Sequence, residues 1–380
     1  MWLWLLFAKG RVWFSRRLGL VILGRVAGRI PFNVLRSLEQ YLYSKEISLH
    51  IEKMTKLNDS TIVQYEFPKN FPLSFRRSKT FEQRYVYTLK DVVVSPKSGL
   101  SWFPEGLIIE ESVGSLLRIT GWGGILHEPL LPVAKLQIDD PVVVCPPTGY
   151  FHWLFEILPN VSRVLASIPE VKILIPSTSP AYVLDALRLI LGADRFTRNV
   201  LSASKPVRVQ NLIMPSVEVY SGFVHPDDVQ HIRLNVKTRV SVASEGSPLV
   251  YVSRKKVEKR RVGNEGELEE RLRSMGFEIL TCEDISFVKQ IASFSQARII
   301  VGLHGAGLSN LVWSQNECSV VEIFPHGFFN DCYARLALTL GFEYRYVECT
   351  PSDESNGTIP INEVSKKLEE MGVDKFEEPL

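Results

Sequence analysis

Three groups of residues in this chain have the types and spacing to do chemistry. In the first, His304 follows an apolar run from Ile299 to Leu303 and precedes the turn Gly305-Ala306-Gly307. Five apolar residues in a row read as a strand buried on both faces, and the pattern that resumes after Ala306 reads as a helix. Glycines at such a turn let main chain approach a ligand, and the first N–H groups of a helix favour an anion. His304 at the strand's end could donate to a phosphate oxygen. Gly-Ala-Gly also permits tight strand-to-helix packing, so the turn carries both readings. Fifteen residues after Gly307, "VVEIFP" ends a strand with Glu322, followed by Pro325, and a carboxylate at a strand end is placed to accept from ribose hydroxyls as acidic residues do in dinucleotide folds.

A second group follows another apolar run: "LVYVSRKKVEKRRVGNEGEL" contains Arg254, Arg260 and Arg261. Arginine suits bidentate recognition of a diphosphate, although most of the Lys255–Arg261 side chains also read as a solvated basic loop. "NEGEL" reads as a helix start with Asn264 as cap and Glu267 at the third helical position. The third group is "GYFHWLFEILPNVSRV". His152 and Glu156 are four apart, so a helix stacks them on one face, where one can take a proton and the other orient it. Tyr150 and Trp153 beside them could stack on a sugar or base. A core helix with one polar edge is the plainer reading. His-x-x-x-Glu is also part of a zinc ligand set, but no third ligand at suitable spacing accompanies it.

The elements that must position these groups are legible as short apolar runs. "PVVVCPP", "VKILIPS", "NLIMPS", "LVYVSRK", "FEILTCE", "RIIVGL", "VVEIFP" and "YRYVEC" alternate with amphipathic stretches of helix length. That alternation predicts an α/β fold with parallel sheets and crossover helices. The polar gap Ser241 to Leu249 separates two such series, and residues 39 to about 140 hold β-like runs such as "TIVQYEF" and "GLIIEESV". The expected domains are a basic apolar segment at 1–38, a domain at 39–245 that is Rossmann-like from about 141, a second Rossmann-like domain at 246–350, and a linker and helix at 351–380.

Composition narrows the class. A chain of 380 residues with 45% hydrophobic and 23% charged residues can bury a sizeable core, and a net charge of +2 argues against nucleic acid as a partner. The five cysteines form no Cys-x-x-Cys pair, which favours buried free thiols and leaves one bridge open. Met1 to Leu38 carries seven Lys or Arg and no acidic residue, mixed with Trp, Leu and Phe. Its apolar runs fall short of the roughly 20 residues that span a bilayer. It reads either as an interfacial helix on anionic lipid or as a domain-packing helix with a basic outer face.

Taken in order, "FHWLFEILP", "YVSRKKVEKRRVGNE", "HGAGLSNLVW" and "VEIFP" resemble the motifs of glycosyltransferase family 61, over roughly Tyr150 to Pro325. The resemblance implies a GT-B-like enzyme, two Rossmann-like domains with parallel sheets facing a cleft, that transfers a sugar with inversion from a UDP-sugar or other nucleoside diphosphate donor. By that resemblance His304, Gly305, Ala306 and Gly307 line the diphosphate, Arg254 with Arg261 neutralises it, and Glu322 holds the ribose. His152 and Glu156 stand near the acceptor, and either can be the base. No Asp-x-Asp occurs in the chain, so cations and a helix N-terminus are expected to replace a metal, with no cofactor. The acceptor is expected to be a glycan or lipid-linked glycan in surface (capsular) polysaccharide synthesis, with the enzyme cytoplasmic and peripheral on the inner membrane face. A non-catalytic carbohydrate-binding protein of the same fold is the alternative. A nicotinamide oxidoreductase is a weaker one, since no Gly-x-Gly-x-x-Gly follows a strand.

Overall fold

The computed structural model describes residues 34–35, 50–73, 77–114, 125, 127–216, 222–240, 246–257, 259–352 and 356–373. The membrane-surface reading of the N-terminal segment therefore falls almost wholly outside the described residues, as does most of the polar gap after Ser241. Among the described residues no helix is long and apolar enough to cross a membrane.

The first half begins with β1 (Val34–Leu35), β2 (Ile51–Asn58), β3 (Thr61–Gln64), β4 (Ser78–Phe81), β5 (Arg84–Val94), β6 (Ser101–Trp102) and β7 (Ile108–Ile109). An alternating unit follows: β8 (Gln137–Val144), α1 (Tyr150–His152), a π-helical turn (Trp153–Ile157), α2 (Leu158–Ser167), β9 (Lys172–Pro176), α3 (Ala181–Leu191), α4 (Ala193–Asn199), β10 (Val200–Ala203) and β11 (Val207–Pro215). Helix α5 (Pro226–Asn235) closes this half. Strands β11-β8-β9-β10 are parallel, as the apolar runs predicted. The sheet as a whole is mixed rather than parallel, because β11 also pairs antiparallel with β5 from Val207↔Val94 to Pro215↔Val86. The β-rich N-terminal region is thus fused to the alternating unit through a shared strand, giving a nine-stranded sheet of order β1-β7-β6-β5-β11-β8-β9-β10 with β2 also on β5. Strands β3 and β4 form a separate ribbon.

The second half runs β12 (Leu249–Val252), α6 (Glu265–Ser274), β13 (Glu278–Leu280), α7 (Phe287–Ser295), β14 (Ile299–Leu303), a 3₁₀ helix (Ala306–Trp313), β15 (Ser319–Phe324), α8 (Cys332–Thr339), β16 (Glu343–Glu348) and α9 (Ile361–Glu370). Its five strands are all parallel in the order β13-β12-β14-β15-β16. Successive strand side chains point to opposite faces. Leu249, Tyr251, Val301 and Ile323 pack with α6 and α9 on one face, while Val250, Val252, Ile300 and Phe324 pack on the other. Strands β12 and β14 are buried throughout, which is why they read as unbroken apolar runs.

The second of those faces belongs to a core that runs through both halves. The Trp153 ring meets Phe287 edge-on at 5.8 Å, and Phe287 meets Trp313 in the same way at 5.8 Å. Each buried aromatic of this kind contributes roughly 2–3 kcal/mol of burial free energy. All five cysteines are buried and unpaired.

Candidate active site

Strands β12 and β14 are neighbours, yet the chain continues from them to opposite sides, with β13 beyond one and β15 beyond the other. Such a reversal opens a crevice beyond the carboxyl ends of the two strands. A cavity of about 210 Å³ lies there, lined by Arg254, Lys259, Arg260, Gly305, Ala306 and Gly307 among others. The first turn of the 3₁₀ helix begins in this wall, and its leading N–H groups have no partner within the helix.

Arg254 is 8% exposed and its guanidinium is pressed against Gly305. A Cβ added to Gly305 would fall 1.5 Å from Nη1 and 2.6 Å from Cζ. The Arg254 main-chain N–H donates to Glu265 Oε1 at 2.6 Å, and Tyr251 donates to the same oxygen at 3.0 Å, so the start of α6 fixes the loop. Nη2 donates to the Lys259 carbonyl at 2.9 Å, while Nε has no partner. Among the described residues no carboxylate reaches ion-pairing distance of this guanidinium. Burial, and next the nearby Arg260 cation, pull its pKa below the usual arginine range. An under-bonded cation in the wall of a cavity has hydrogen-bonding capacity that an anion could use.

His304, just past β14, donates from Nδ1 to Glu322 Oε1 at 2.5 Å, and Tyr344 donates to Oε2 at 2.6 Å. Three adjacent strands supply one residue each. The ring stacks on Phe324 with centroids 5.4 Å apart and touches Tyr333 at 5.0 Å. Glu322 has no exposed surface and both oxygens are occupied. It therefore cannot hold a ribose, contrary to the expectation from sequence: strand β15 continues to Phe324, so the carboxylate sits in mid-strand on the core face.

His152 donates from Nδ1 to Glu156 Oε1 at 2.7 Å, as the four-residue spacing predicts, although the intervening turn is π-helical. Asn310 ties this helix to the anion turn. Its Oδ1 accepts from Tyr150 Oη at 2.8 Å and Trp313 Nε1 at 3.1 Å, and its Nδ2 donates to Gln290 Oε1 at 2.8 Å and the Gly307 carbonyl at 3.1 Å. A run of rings, His304 to Tyr333 to Phe151, covers the remaining distance, the last pair 5.7 Å apart.

Residues 150–321 match the family model described as Glycosyltransferase 61. This region resembles glycosyltransferase family 61. The family implies glycosyl transfer, with a sugar donor and a glycan acceptor in general. No curated protein matches the chain.

Within the glycosyltransferase 61 region, Arg254, Gly305, Ala306 and Gly307 come together at one cavity, with His304 immediately before the turn. Further expectations are corrected. Arg261 is exposed and does not line the cavity; the adjacent Arg260, in the left-handed region at φ 59°, does, and its guanidinium lies 5.0 Å from the Phe328 ring centre. Trp153 has no exposed surface, and its ring is packed against Tyr182 and Phe287, so no sugar can stack on it. Tyr150 spends its hydroxyl on Asn310. Asn264 precedes α6 as predicted, but its side chain bonds the main chain of Ile359 instead of capping the helix. Sequence reading missed Glu265, Asn310 and Tyr344 as site residues. Glu265 and Asn310 stood inside the quoted motifs, whereas nothing local marks Tyr344.

Proposed function

We propose that the protein is an inverting glycosyltransferase of GT-B organisation that takes a sugar from a nucleoside diphosphate donor, a UDP-sugar, and transfers it to a neutral glycan or lipid-linked glycan. The observation that carries the donor side is Arg254: a buried, incompletely bonded cation laid on Gly305 where main-chain N–H groups open into the same cavity. Arg254 and Arg260 neutralise the diphosphate. As the acceptor oxygen attacks the anomeric carbon from the face opposite the phosphate, the C1–O bond breaks and its electron pair goes to the β-phosphate oxygen. Fixed cations and N–H dipoles at that oxygen stabilise the charge as it grows.

The acceptor proton goes to the His152–Glu156 pair. With Nδ1 held by Glu156, Nε2 of His152 takes the proton and the carboxylate stabilises the imidazolium, which makes His152 the base and Glu156 its positioning partner. The chemistry requires no metal in this reading. The basic apolar N-terminal segment supports placement on the inner membrane face, where surface polysaccharide acceptors are lipid-linked, and a truncation lacking residues 1–30 that still partitions to membranes ends that placement.

Calorimetric titration with UDP and with a panel of UDP-, GDP- and CMP-sugars tests the donor assignment, the expected result being selective binding of the uridine compounds. Glu156→Gln should leave UDP affinity unchanged and lower turnover by about 100-fold or more, as loss of a positioned proton acceptor does. Wild-type turnover in that variant removes the pair from the mechanism.

A further inference from the structure

The first sheet has its own reversal. Within β11-β8-β9-β10 the chain goes from β8 to β9 on one side and returns to β11 on the other, so the crevice beyond the ends of β8 and β11 is the counterpart of the anion cavity. A separate cavity of about 50 Å³ lies there, lined by Val144, Pro146, Leu212, Pro215, Glu156 and Asn160 among others. Most of its wall is aliphatic. Asn160 is 6% exposed, and its Nδ2 donates to the Glu156 carbonyl at 2.9 Å across the π-helical turn. Its Oδ1 is buried and has no donor. A buried amide oxygen in a cavity wall calls for an O–H or N–H.

We propose that this cavity is a subsite for the hydroxymethyl group of a neutral hexose acceptor, with Asn160 Oδ1 accepting its hydroxyl hydrogen. The inference rests on the glycosyl-transfer reading and specifies the acceptor. Size argues for it: the space holds roughly three or four water-sized groups, enough for CH₂OH and the adjacent ring edge but not for a whole sugar. Charge argues for it as well. The lining includes Glu156 and no lysine or arginine, and its aliphatic surroundings disfavour a uronate or sialate, whose burial without a cation is costly. Position completes the case. Glu156 lines this cavity and holds His152, so a sugar anchored here by its hydroxymethyl group extends past the proton acceptor toward the anion turn.

The test is binding of methyl glycosides to the full-length protein, read by saturation-transfer NMR titration in the presence of UDP. The panel compares methyl glucoside, galactoside and mannoside with methyl fucoside and rhamnoside (6-deoxy), methyl xyloside (no C6) and methyl glucuronide (C6 carboxylate). The proposal expects at least one neutral hexoside to bind, with about tenfold weaker binding of the 6-deoxy, C6-less and carboxylate forms. Asn160→Leu should weaken the hexoside about tenfold. Because that variant also removes the bond to the Glu156 carbonyl, Ile157→Trp is the companion: it leaves Asn160 intact and fills the cavity from a partly exposed lining position. Both variants should keep UDP affinity, which is measured separately by calorimetry and reports on the donor site alone. Hexoside binding that survives both variants, equal binding of the glucuronide, or no binding of any neutral hexoside to the wild type overturns the proposal whether or not UDP binds.

Discussion

Gly305→Ala isolates the anion site with a single methyl group. At φ 176° the backbone is extended and accepts any residue, so the substitution brings no conformational strain. Its Cβ would sit 1.5 Å from Arg254 Nη1 and 2.6 Å from Cζ, contacts no structure tolerates, so the guanidinium must leave. It is the end of a flexible side chain and regains water on moving out, so folding stability should change little. What is lost is a cation aimed at phosphate. A hydrogen bond to a charged group contributes about 1.5–3 kcal/mol, and a bidentate arginine makes two. Arg260 and the main-chain N–H groups remain, so a net loss of about 3 kcal/mol, or roughly 100-fold in Kd for UDP, is the expected size. The assay is isothermal calorimetry on Gly305→Ala, Arg254→Ala and the double variant. If the methyl acts only by evicting Arg254, each single variant weakens UDP by a similar factor, and the double variant is no weaker than Arg254→Ala. The interaction term then equals the whole effect of one substitution. Unchanged UDP affinity in Gly305→Ala, or two losses that add, refutes the assignment of Arg254 to the phosphate.

Gly307→Ala should behave oppositely, because its Cβ meets Val252 Cγ1 at 2.6 Å in the packed core: a stability loss of about 1–3 kcal/mol, read by denaturant titration, with UDP affinity per folded molecule nearly retained. Glu322→Gln should lower turnover without altering the preference for UDP over its 2′-deoxy analogue in competition titration, since the buried carboxylate orients His304 and touches no ribose. Burial, and next the Arg163 cation, push the His231 pKa down to about 4, below the unfolded value near 6.5. The unfolded chain then binds the extra proton, so the stability this residue contributes is intact above about pH 6.5 and is lost as pH falls toward 4; His231→Gln should flatten that part of a Tm-against-pH curve.

All eight apolar runs became strands, most plainly β12 and β14, where burial on both faces leaves no polar position to disguise them. Strand β10, partly exposed along its length, carries no such signal and was missed. The pairing of β5 with β11 joins residues more than 110 positions apart, and no local pattern encodes it. The glycine turn and Arg254, grouped from the sequence because tight turns and arginines have few uses, do meet at one cavity. Glu322 was misread by two residues of strand length, which is the difference between a strand end in solvent and a mid-strand position facing the core. Trp153 was misread because an aromatic next to a histidine looks the same whether its ring faces a ligand or Phe287.

Three glycines two or three residues apart show how one motif can carry separate demands. Gly302 and Gly307 are small because Val252 and Leu308 leave no room for a methyl, so they answer to packing. Gly305 is small because Arg254 lies on it, and it answers to the ligand. The Gly307 carbonyl then accepts from Asn310, whose other bonds reach Tyr150 at the start of the His152 helix. One fully buried amide thereby links the glycine turn to the helix that bears His152. The separation between the two reacting ends is set by that side chain and the aromatic core behind it, not by the polar gap that joins the halves in sequence. Pre-organisation of this kind is what sugar transfer to a weak nucleophile needs, because the charge on the leaving phosphate and the proton on the acceptor must be met in the same step.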